Sequence, residues 1–356
     1  MNHLSKILIH WYTKNKRELP WRKTNDPYKI WLSEIILQQT RIEQGTPYYY
    51  SFVKHFPTVH DLAAAKTNKI MKLWQGLGYY SRAINLHEAA KEISKNHHGI
   101  FPSNYEDIIK IKGIGDYTAC AILSIAFSKP YAVVDGNVIR VITRIFGIKE
   151  NIKLSHTKKE IKKTVSQLLP PKQAGDFNQA IMEFGALQCK PKNPDCLKCI
   201  MNKFCIAYKE NIISYLPNKT QKIKSKKRFF YYFFIKYKKG STVYTYIRKR
   251  DNNDIWKQLY EFPCITTEKK LSKESIIKNK EWKEIFHEEF YKIQSIHISD
   301  VHELSHQTIY AEFYEVIINK PLVDIPYNLE KINIKNINHF AISRLIEKFL
   351  KKKNLL

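Results

Sequence analysis

Apolar positions follow a helical rhythm over roughly the first two hundred residues and a strand rhythm after them. Leu4, Ile7, Leu8, Trp11 and Tyr12 recur at three- and four-residue steps, interrupted by Lys6 and His10. They predict an amphipathic helix over residues 1–16 rather than the continuous apolar segment of a signal peptide. Asp26-Pro27 reads as an N-cap with a first-turn proline, and Thr46-Pro47 as a second such start. Ser103-Asn104-Tyr105-Glu106 reads as a capping box that opens a helix through Ile108 to Lys110. Val138 to Ile145 and Phe177 to Leu187 are further helical stretches, and no alternating pattern interrupts the series.

The texture changes at residues 217–228, PNKTQKIKSKKR, which hold six basic residues and no acidic one. Phe229 to Tyr237 and Val243 to Arg248 then flank Lys238-Lys239-Gly240-Ser241, a predicted β-hairpin. Strand-like stretches recur at 259–265, 293–298 and 308–317, with helices expected at 272–278 and 341–351. The expected organisation is an all-α domain over 1–215, a basic linker over 216–228, and a smaller α+β domain over 229–352.

Charge adds a partner class. Lys and Arg number 60 against 33 Asp and Glu, a formal net charge of +27. A field of that sign attracts polyanions, nucleic acid first, although a Lys-, Ile- and Asn-rich codon bias accounts for part of it. No apolar run reaches the ~20 residues that a membrane span needs. Cys120 and Cys264 stand alone in apolar stretches and read as buried free thiols, so a reducing, cytoplasmic setting is expected.

The other four cysteines, Cys189, Cys196, Cys199 and Cys205, fall in a C-x6-C-x2-C-x5-C pattern within a loop rich in Lys and Pro. Four thiolates so placed suit one metal centre, a structural zinc or a [4Fe-4S] cluster, with a disulfide framework the poorer reading. The asymmetric spacing resembles the cluster loop of the endonuclease III superfamily of DNA glycosylases, which implies one [4Fe-4S] cluster.

Four more motifs carry chemistry. In Ile111-Lys112-Gly113-Ile114-Gly115-Asp116-Tyr117, two glycines form a tight turn before a helix whose N-terminal N–H groups can hold a phosphate. Alone it is an ordinary helix–helix turn. Twenty residues later comes Val133-Val134-Asp135-Gly136-Asn137, and the pair resembles the helix-hairpin-helix and aspartate of the same superfamily. Asp135 also reads as a helix N-cap. In Trp31-Leu32-Ser33-Glu34-Ile35-Ile36-Leu37-Gln38-Gln39-Thr40, a glutamate ordinarily exposed on an amphipathic helix has apolar neighbours on nearly every side. Such a carboxyl is expected to be desolvated, with a raised pKa suited to general-acid work. Trp74-Gln75-Gly76-Leu77-Gly78-Tyr79-Tyr80 puts an aromatic residue after a glycine loop, where it is either core or a wedge for a base stack.

WLSEIILQQT closely resembles the hallmark of the MutY family of adenine glycosylases, and the likeness covers nearly all of residues 1–215. It implies Glu34 as general acid and Asp135 as stabiliser of the sugar cation, with Tyr117 and Asn137 as polar supports. Gln39, Thr40, Tyr79, Lys112, Gly113 and Gly115 become DNA contacts. Bifunctional relatives carry a lysine where Tyr117 stands, so strand nicking through a Schiff base is not expected. Lys112 departs from the family's usual proline. In the second domain, Trp256-Lys257-Gln258-Leu259-Tyr260-Glu261-Phe262-Pro263 resembles the Nudix-like C-terminal domain of that family. The R-E-x-x-E-E helix of Nudix hydrolases is missing, so lesion reading rather than hydrolysis is expected. Leu304-Ser305-His306 matches a Phe-Ser-His run and implies Ser305 and His306 as lesion contacts, with leucine replacing the aromatic. The implied whole is a monofunctional, monomeric enzyme acting on duplex DNA with adenine opposite 8-oxoguanine or guanine. Two alternatives stay open: a bifunctional glycosylase/lyase for oxidised pyrimidines, and a non-catalytic lesion binder.

Overall fold

The computed structural model describes residues 2–219, 225–251, 254–286, 291–322 and 327–356, and residues 220–224 of the expected linker lie outside them. The chain forms two compact units, one of Met1–Ala64 with Asn85–Gln221, the other of Ala65–Ile84 with Lys222–Leu356. The helices are α1 (His3–Asn15), α2 (Pro27–Leu37), α3 (Ile42–His55), α4 (Val59–Ala64), α5 (Thr67–Leu73), α6 (Ser81–Asn96), α7 (Tyr105–Ile108) and α8 (Asp116–Ile125). They continue with α9 (Gly136–Phe146), α10 (Ser155–Leu168), α11 (Ala174–Leu187), α12 (Ile206–Lys209), α13 (Lys273–Ile277), α14 (Lys280–Phe286) and α15 (Arg344–Lys352).

The first unit is helical. α9 and α1 pack on α11, and Leu8, Val141, Ile142, Phe177, Ile181 and Phe184 close a dry core between them. One carboxylate ties this core to the chain after α1. Glu183, 2% exposed, accepts from Arg17 Nη2 at 2.7 Å and Arg22 Nη2 at 2.9 Å, and the two guanidiniums hold it down at about 2.

Two helix starts differ from the sequence reading. α3 begins at Ile42, not at Thr46-Pro47, and carries Pro47 inside it, while Thr46 Oγ1 donates back to the Ile42 carbonyl at 2.7 Å. Proline sits far enough toward the N-terminus that the helix loses one hydrogen bond and continues. The expected capping box shifts by one residue. Asn104, not Ser103, caps α7, accepting from Asp107 N–H at 2.9 Å while its own amide donates to the Asp107 carboxylate at 2.9 Å.

In the second unit an eight-stranded mixed sheet runs β3-β2-β1-β7-β5, with β4 on β1, β6 on β7 and β8 on β2. The strands are β1 (Lys226–Lys239), β2 (Thr242–Lys249), β3 (Tyr260–Glu261), β4 (Cys264–Thr267), β5 (Tyr291–Ile298), β6 (His302–Glu303), β7 (Gln307–Ile318) and β8 (Glu330–Asn333). The expected hairpin of β1 and β2 forms, and β1 also pairs in parallel with β7 over twelve registered residues. The single strand expected over 259–265 is broken at Pro263 into β3 and β4. Phe230, Tyr232 and Phe234 face a core closed by α15, whereas Tyr231, Phe233 and Ile235 face one closed by α14. A strand covered on both faces needs an unbroken apolar run, which is what β1 has.

Residues 65–84 cluster with this second unit although they lie within the expected first domain. Lys72 Nζ donates to the Phe340 carbonyl at 3.2 Å, Gln75 Oε1 accepts from Ile342 N–H at 3.2 Å, and Asn68 Nδ2 donates to Tyr260 Oη at 3.2 Å. Among the described residues no helix is long and apolar enough to cross a membrane.

Candidate active site

Glu34 sits where three helices of the first unit deliver polar groups into apolar surroundings. Asp26 caps α2 and its Ile30, Trp31, Leu32, Ile35 and Ile36 are buried, leaving Glu34 half-buried on the remaining face. The Tyr117 hydroxyl, near the start of α8, hydrogen-bonds the Glu34 carboxylate and lies 3.7 Å from Met182 Sδ. Burial pushes Glu34 up to about 7; the Asp135 charge adds to this, while the Tyr117 hydrogen bond and Arg22 oppose it. Tyr117 itself is driven well above the ordinary phenol range by burial and by the two carboxylates.

Asp135 is the N-cap of α9. Its Oδ1 accepts from Val138 N–H at 2.7 Å and its Oδ2 from Asn137 Nδ2 at 2.8 Å. Burial raises its pKa against these two hydrogen bonds, which favour the charged form. The N-cap reading and a role toward a ligand are therefore compatible, since the cap fixes the carboxylate without neutralising it.

A polar chain continues away from Asp135. Arg140 Nη2 donates to Asn137 Oδ1 at 2.8 Å and to the Gly185 carbonyl at 2.6 Å, and its Nε donates to the Cys189 carbonyl at 2.8 Å. Gly185 makes this approach possible, because a Cβ there would lie 2.7 Å from Asn137 Cβ. The start of the cysteine loop is thus bonded, through one guanidinium, to the residue that holds Asp135.

The four cysteines line one small cavity of about 20 Å³, walled by Ile145, Phe184 and Met201. Among the described residues no group of three or more His, Cys, Asp or Glu is arranged to hold a metal ion as it stands. All four thiols line that one space, and a four-thiolate donor set fits an iron–sulfur group. Arg144 Nη1 points at Cys189 Sγ from 3.5 Å and Met201 N–H at Cys199 Sγ from 3.4 Å, the N–H···S pattern that supports charged sulfur. Arg144 also donates to the carbonyls of Lys190, Pro191 and Leu216 at 2.7, 3.2 and 3.0 Å, so it ties the start of the loop to the chain beyond α12.

Between α7 and α8 the backbone turns through Gly113 at φ +81, where a Cβ would meet Asn85 Cβ at 2.8 Å. Gly115 caps α8 at φ −93 with nothing within 4 Å of a Cβ, so only the first of the two glycines is required sterically. Lys112 is exposed beside them, its N–H directed to Glu92 Oε2 at 3.4 Å. Gln39 and Thr40 follow α2, with Thr40 Oγ1 donating to the Gln38 carbonyl at 3.3 Å. Gln39 is exposed and has a left-handed backbone, φ +55.

Tyr79, in the second unit, shares that conformation at φ +48 and is 45% exposed. Left-handed non-glycine residues store strain and concentrate at functional loops. The Tyr79 hydroxyl hydrogen-bonds Ser305 Oγ, and the Arg82 guanidinium lies 5.6 Å over its ring. Tyr79 and Ser305 border a cavity of about 540 Å³ between the 76–81 loop and the turn that joins β6 to β7. His306 also lines it, and Leu304 is partly buried against the core around Phe230 and Ile309.

The structure therefore gathers Glu34, Tyr117, Asp135 and Asn137 at one place, the four cysteines at a second, and Tyr79, Ser305 and His306 at a third. Sequence reasoning missed Arg140 and Arg144, both buried, although two arginines inside the apolar helix VIRVITRI were the available signal.

Residues 32–171 match the model of the HhH-GPD superfamily base excision DNA repair proteins, and residues 231–352 match a NUDIX domain. The adenine DNA glycosylase of Buchnera aphidicola subsp. Baizongia pistaciae (strain Bp) is 36% identical over 335 residues, 93% of this chain and 90% of its own. That of Buchnera aphidicola subsp. Schizaphis graminum (strain Sg) is 35% identical over 359 residues, 97% of each chain. A thermostable thymine-DNA glycosylase of known structure superposes with a TM-score of 0.54 at 32% identity, covering 58% of this chain and 95% of that one.

Proposed function

The chain belongs to the adenine DNA glycosylase family, and we propose that it hydrolyses the N-glycosidic bond of adenine paired with 8-oxoguanine or guanine, leaving an abasic site. The observation that carries this reading is the meeting of a protonatable Glu34 with Tyr117 and an Asp135 carboxyl held by Val138 N–H and Asn137. With its pKa at about 7, Glu34 holds a proton on a sizeable fraction of molecules at neutral pH. It donates that proton to a ring nitrogen of the leaving adenine. As the C–N bond breaks, positive charge grows on the sugar, and the Asp135 carboxylate stabilises it. Val138 N–H and Asn137 keep that carboxylate oriented. Water completes the hydrolysis. Tyr117 supports Glu34 by its hydrogen bond, and a phenol offers no amine for a Schiff base, which supports a monofunctional enzyme over a lyase.

Duplex DNA is the proposed partner of a monomeric, cytoplasmic protein. Lys112, Gly113 and Gly115 would hold backbone phosphate at the N-terminus of α8. Gln39, Thr40 and Tyr79 would contact the stack near the flipped base, and Ser305 and His306 the base opposite. Cys189, Cys196, Cys199 and Cys205 would hold one [4Fe-4S] cluster, which would brace the loop that carries Lys190, Lys192, Lys198 and Lys203. The Arg140 contact to the Cys189 carbonyl then gives that loop a bearing on the orientation of Asp135. The 216–228 stretch, read as a linker, is proposed to mark the boundary between the catalytic and the lesion-reading parts of the chain, with residues 65–84 counted in the second.

The test is a duplex with a single adenine opposite 8-oxoguanine, incubated with the purified protein and then treated with alkali. Alkali-dependent cleavage at adenine is expected. Cleavage without alkali would support the lyase reading, and tight binding without cleavage under either condition would support the non-catalytic one.

A further inference from the structure

Leu304 leaves the reading loop without the aromatic platform that the resemblance expects, yet the cavity beside it does not lack an aromatic wall. Trp256 lines the same cavity, half-buried, with its ring 5.7 Å from that of Phe230 and 5.9 Å from that of His302. Its backbone is left-handed at φ +60, as is that of Gln258 at φ +69. A tryptophan in that conformation is uncommon, and two such residues in one short loop mark a segment whose shape is over-determined by its surroundings. Those surroundings are ion-paired. Arg228 and Arg250 clamp Asp254 at 2.7 and 3.0 Å, Arg250 holds Glu261 at 2.6 Å, and the Asp254 carboxylate accepts from Ile255 N–H at 2.8 Å.

His302 stands on β6 opposite Ile309 of β7 and lines the cavity next to Trp256. Burial and the nearby Lys348 hold its pKa below the ordinary imidazole value, so the ring is neutral at physiological pH and offers one donor and one acceptor nitrogen. That polarity suits the difference between the two bases. 8-Oxoguanine carries a hydrogen on N7 and an oxygen on C8, so its imidazole edge pairs a donor with an acceptor. Guanine presents only an acceptor N7 there.

We infer that Trp256 and His302 are specificity residues of the lesion-reading cavity, Trp256 packing against the flat face of the base opposite adenine and His302 reading its N7/C8 edge. The inference rests on the proposed adenine glycosylase activity. Stacking is indifferent to oxidation, so Trp256 sets affinity for both duplexes, whereas His302 sets the ratio between them. Trp256 thus stands in for the aromatic absent at position 304, from a different strand connection of the same unit.

The experiment uses full-length protein and duplexes in which adenine carries a 2′-fluoro sugar that resists cleavage, placed opposite 8-oxoguanine or guanine. Trp256→Leu is expected to weaken binding to both duplexes roughly tenfold or more, and Trp256→Phe to restore most of it. His302→Ala is expected to lower affinity for the 8-oxoguanine duplex about fivefold to tenfold and so shrink the 8-oxoguanine-to-guanine ratio. An unchanged ratio in His302→Ala, or a Trp256→Leu protein that unfolds at the wild-type temperature and binds both duplexes as wild type does, overturns the inference. Should Trp256→Leu fail to fold, Trp256→Phe against Trp256→His in the same assay decides the wall, equal loss in both overturning it. Failure of the parent reading is distinct: the wild type would then release no adenine from cleavable forms of either duplex.

Discussion

Glu34→Gln separates two effects of one half-buried carboxyl. In the folded chain Glu34 titrates at about 7 against an ordinary 4.5. That displacement corresponds to roughly 3 kcal/mol between its protonation states. The sign follows from which state holds the proton. Between the two values the folded chain binds it and the unfolded chain does not, so stability falls as pH rises from 4.5 towards 7 and is level above that. Glutamine has no charge to desolvate. The variant is therefore expected to match the wild type near pH 4.5 and to exceed it by about 2–3 kcal/mol above pH 7.5, read by urea unfolding at several pH values. Base release should respond in the opposite direction. Glutamine cannot donate a proton, so single-turnover adenine release is expected to fall at least a hundredfold while duplex binding persists. Wild-type release should decline above about pH 7, and Tyr117→Phe, by removing a hydrogen bond that lowers the Glu34 pKa, should move that decline to higher pH. A stability difference that does not vary with pH, together with an undiminished release rate in Glu34→Gln, would refute both the burial of a protonated acid and its use in catalysis.

Asp135→Asn should cripple base release by removing the charge opposite the sugar cation, with quenched-flow rates as the readout. Arg140→Met keeps the length of the side chain but cuts its bonds to Asn137 and the Cys189 carbonyl. It is expected to lower the release rate more than duplex affinity, an outcome excluded if rate and affinity fall together. Protein purified anaerobically should be brown with about four irons per chain, and stoichiometric zinc in its place would overturn the cluster assignment. Gly113→Ala should lose roughly 1–2 kcal/mol of stability in thermal unfolding and weaken duplex binding, because a Cβ at φ +81 also meets Asn85, whereas Gly115→Ala should be mild.

The candidate acid was legible from its neighbours, since apolar residues on both sides of Glu34 left no polar face to rescue it. Cysteine spacing and the hairpin glycines were equally legible, being local in sequence. Tertiary bonds were not. Arg140 reaches Gly185 and Cys189 across 45 and 49 residues, and no local pattern encodes such a reach. Residues 65–84 were read with the first domain because they lie inside its helical run. Their partners, Tyr260, Phe340 and Ile342, come from far along the chain. Capping failed by one position because Asn104 and Ser103 are both good caps, and only the geometry of Asp107 selects between them.

The parallel pairing of β1 with β7 has a consequence for how the second unit is made. Phe229 to Ile235 is an unbroken apolar run, and its parallel partner lies some eighty residues later, at Tyr310 to Val316. During synthesis the run leaves the ribosome long before that partner exists, with both its faces and one hydrogen-bonding edge bare. A segment of such composition is prone to pair with copies of itself. The lysines and arginine at 226, 227 and 228 and the lysines at 236, 238 and 239 bracket it with like charge, which disfavours stacking of one nascent chain on another. Part of the basic surplus of this chain thus acts before there is any DNA to bind. Neutralising those flanking positions should lower the yield of soluble protein at 37 °C even where the purified remainder retains its activity.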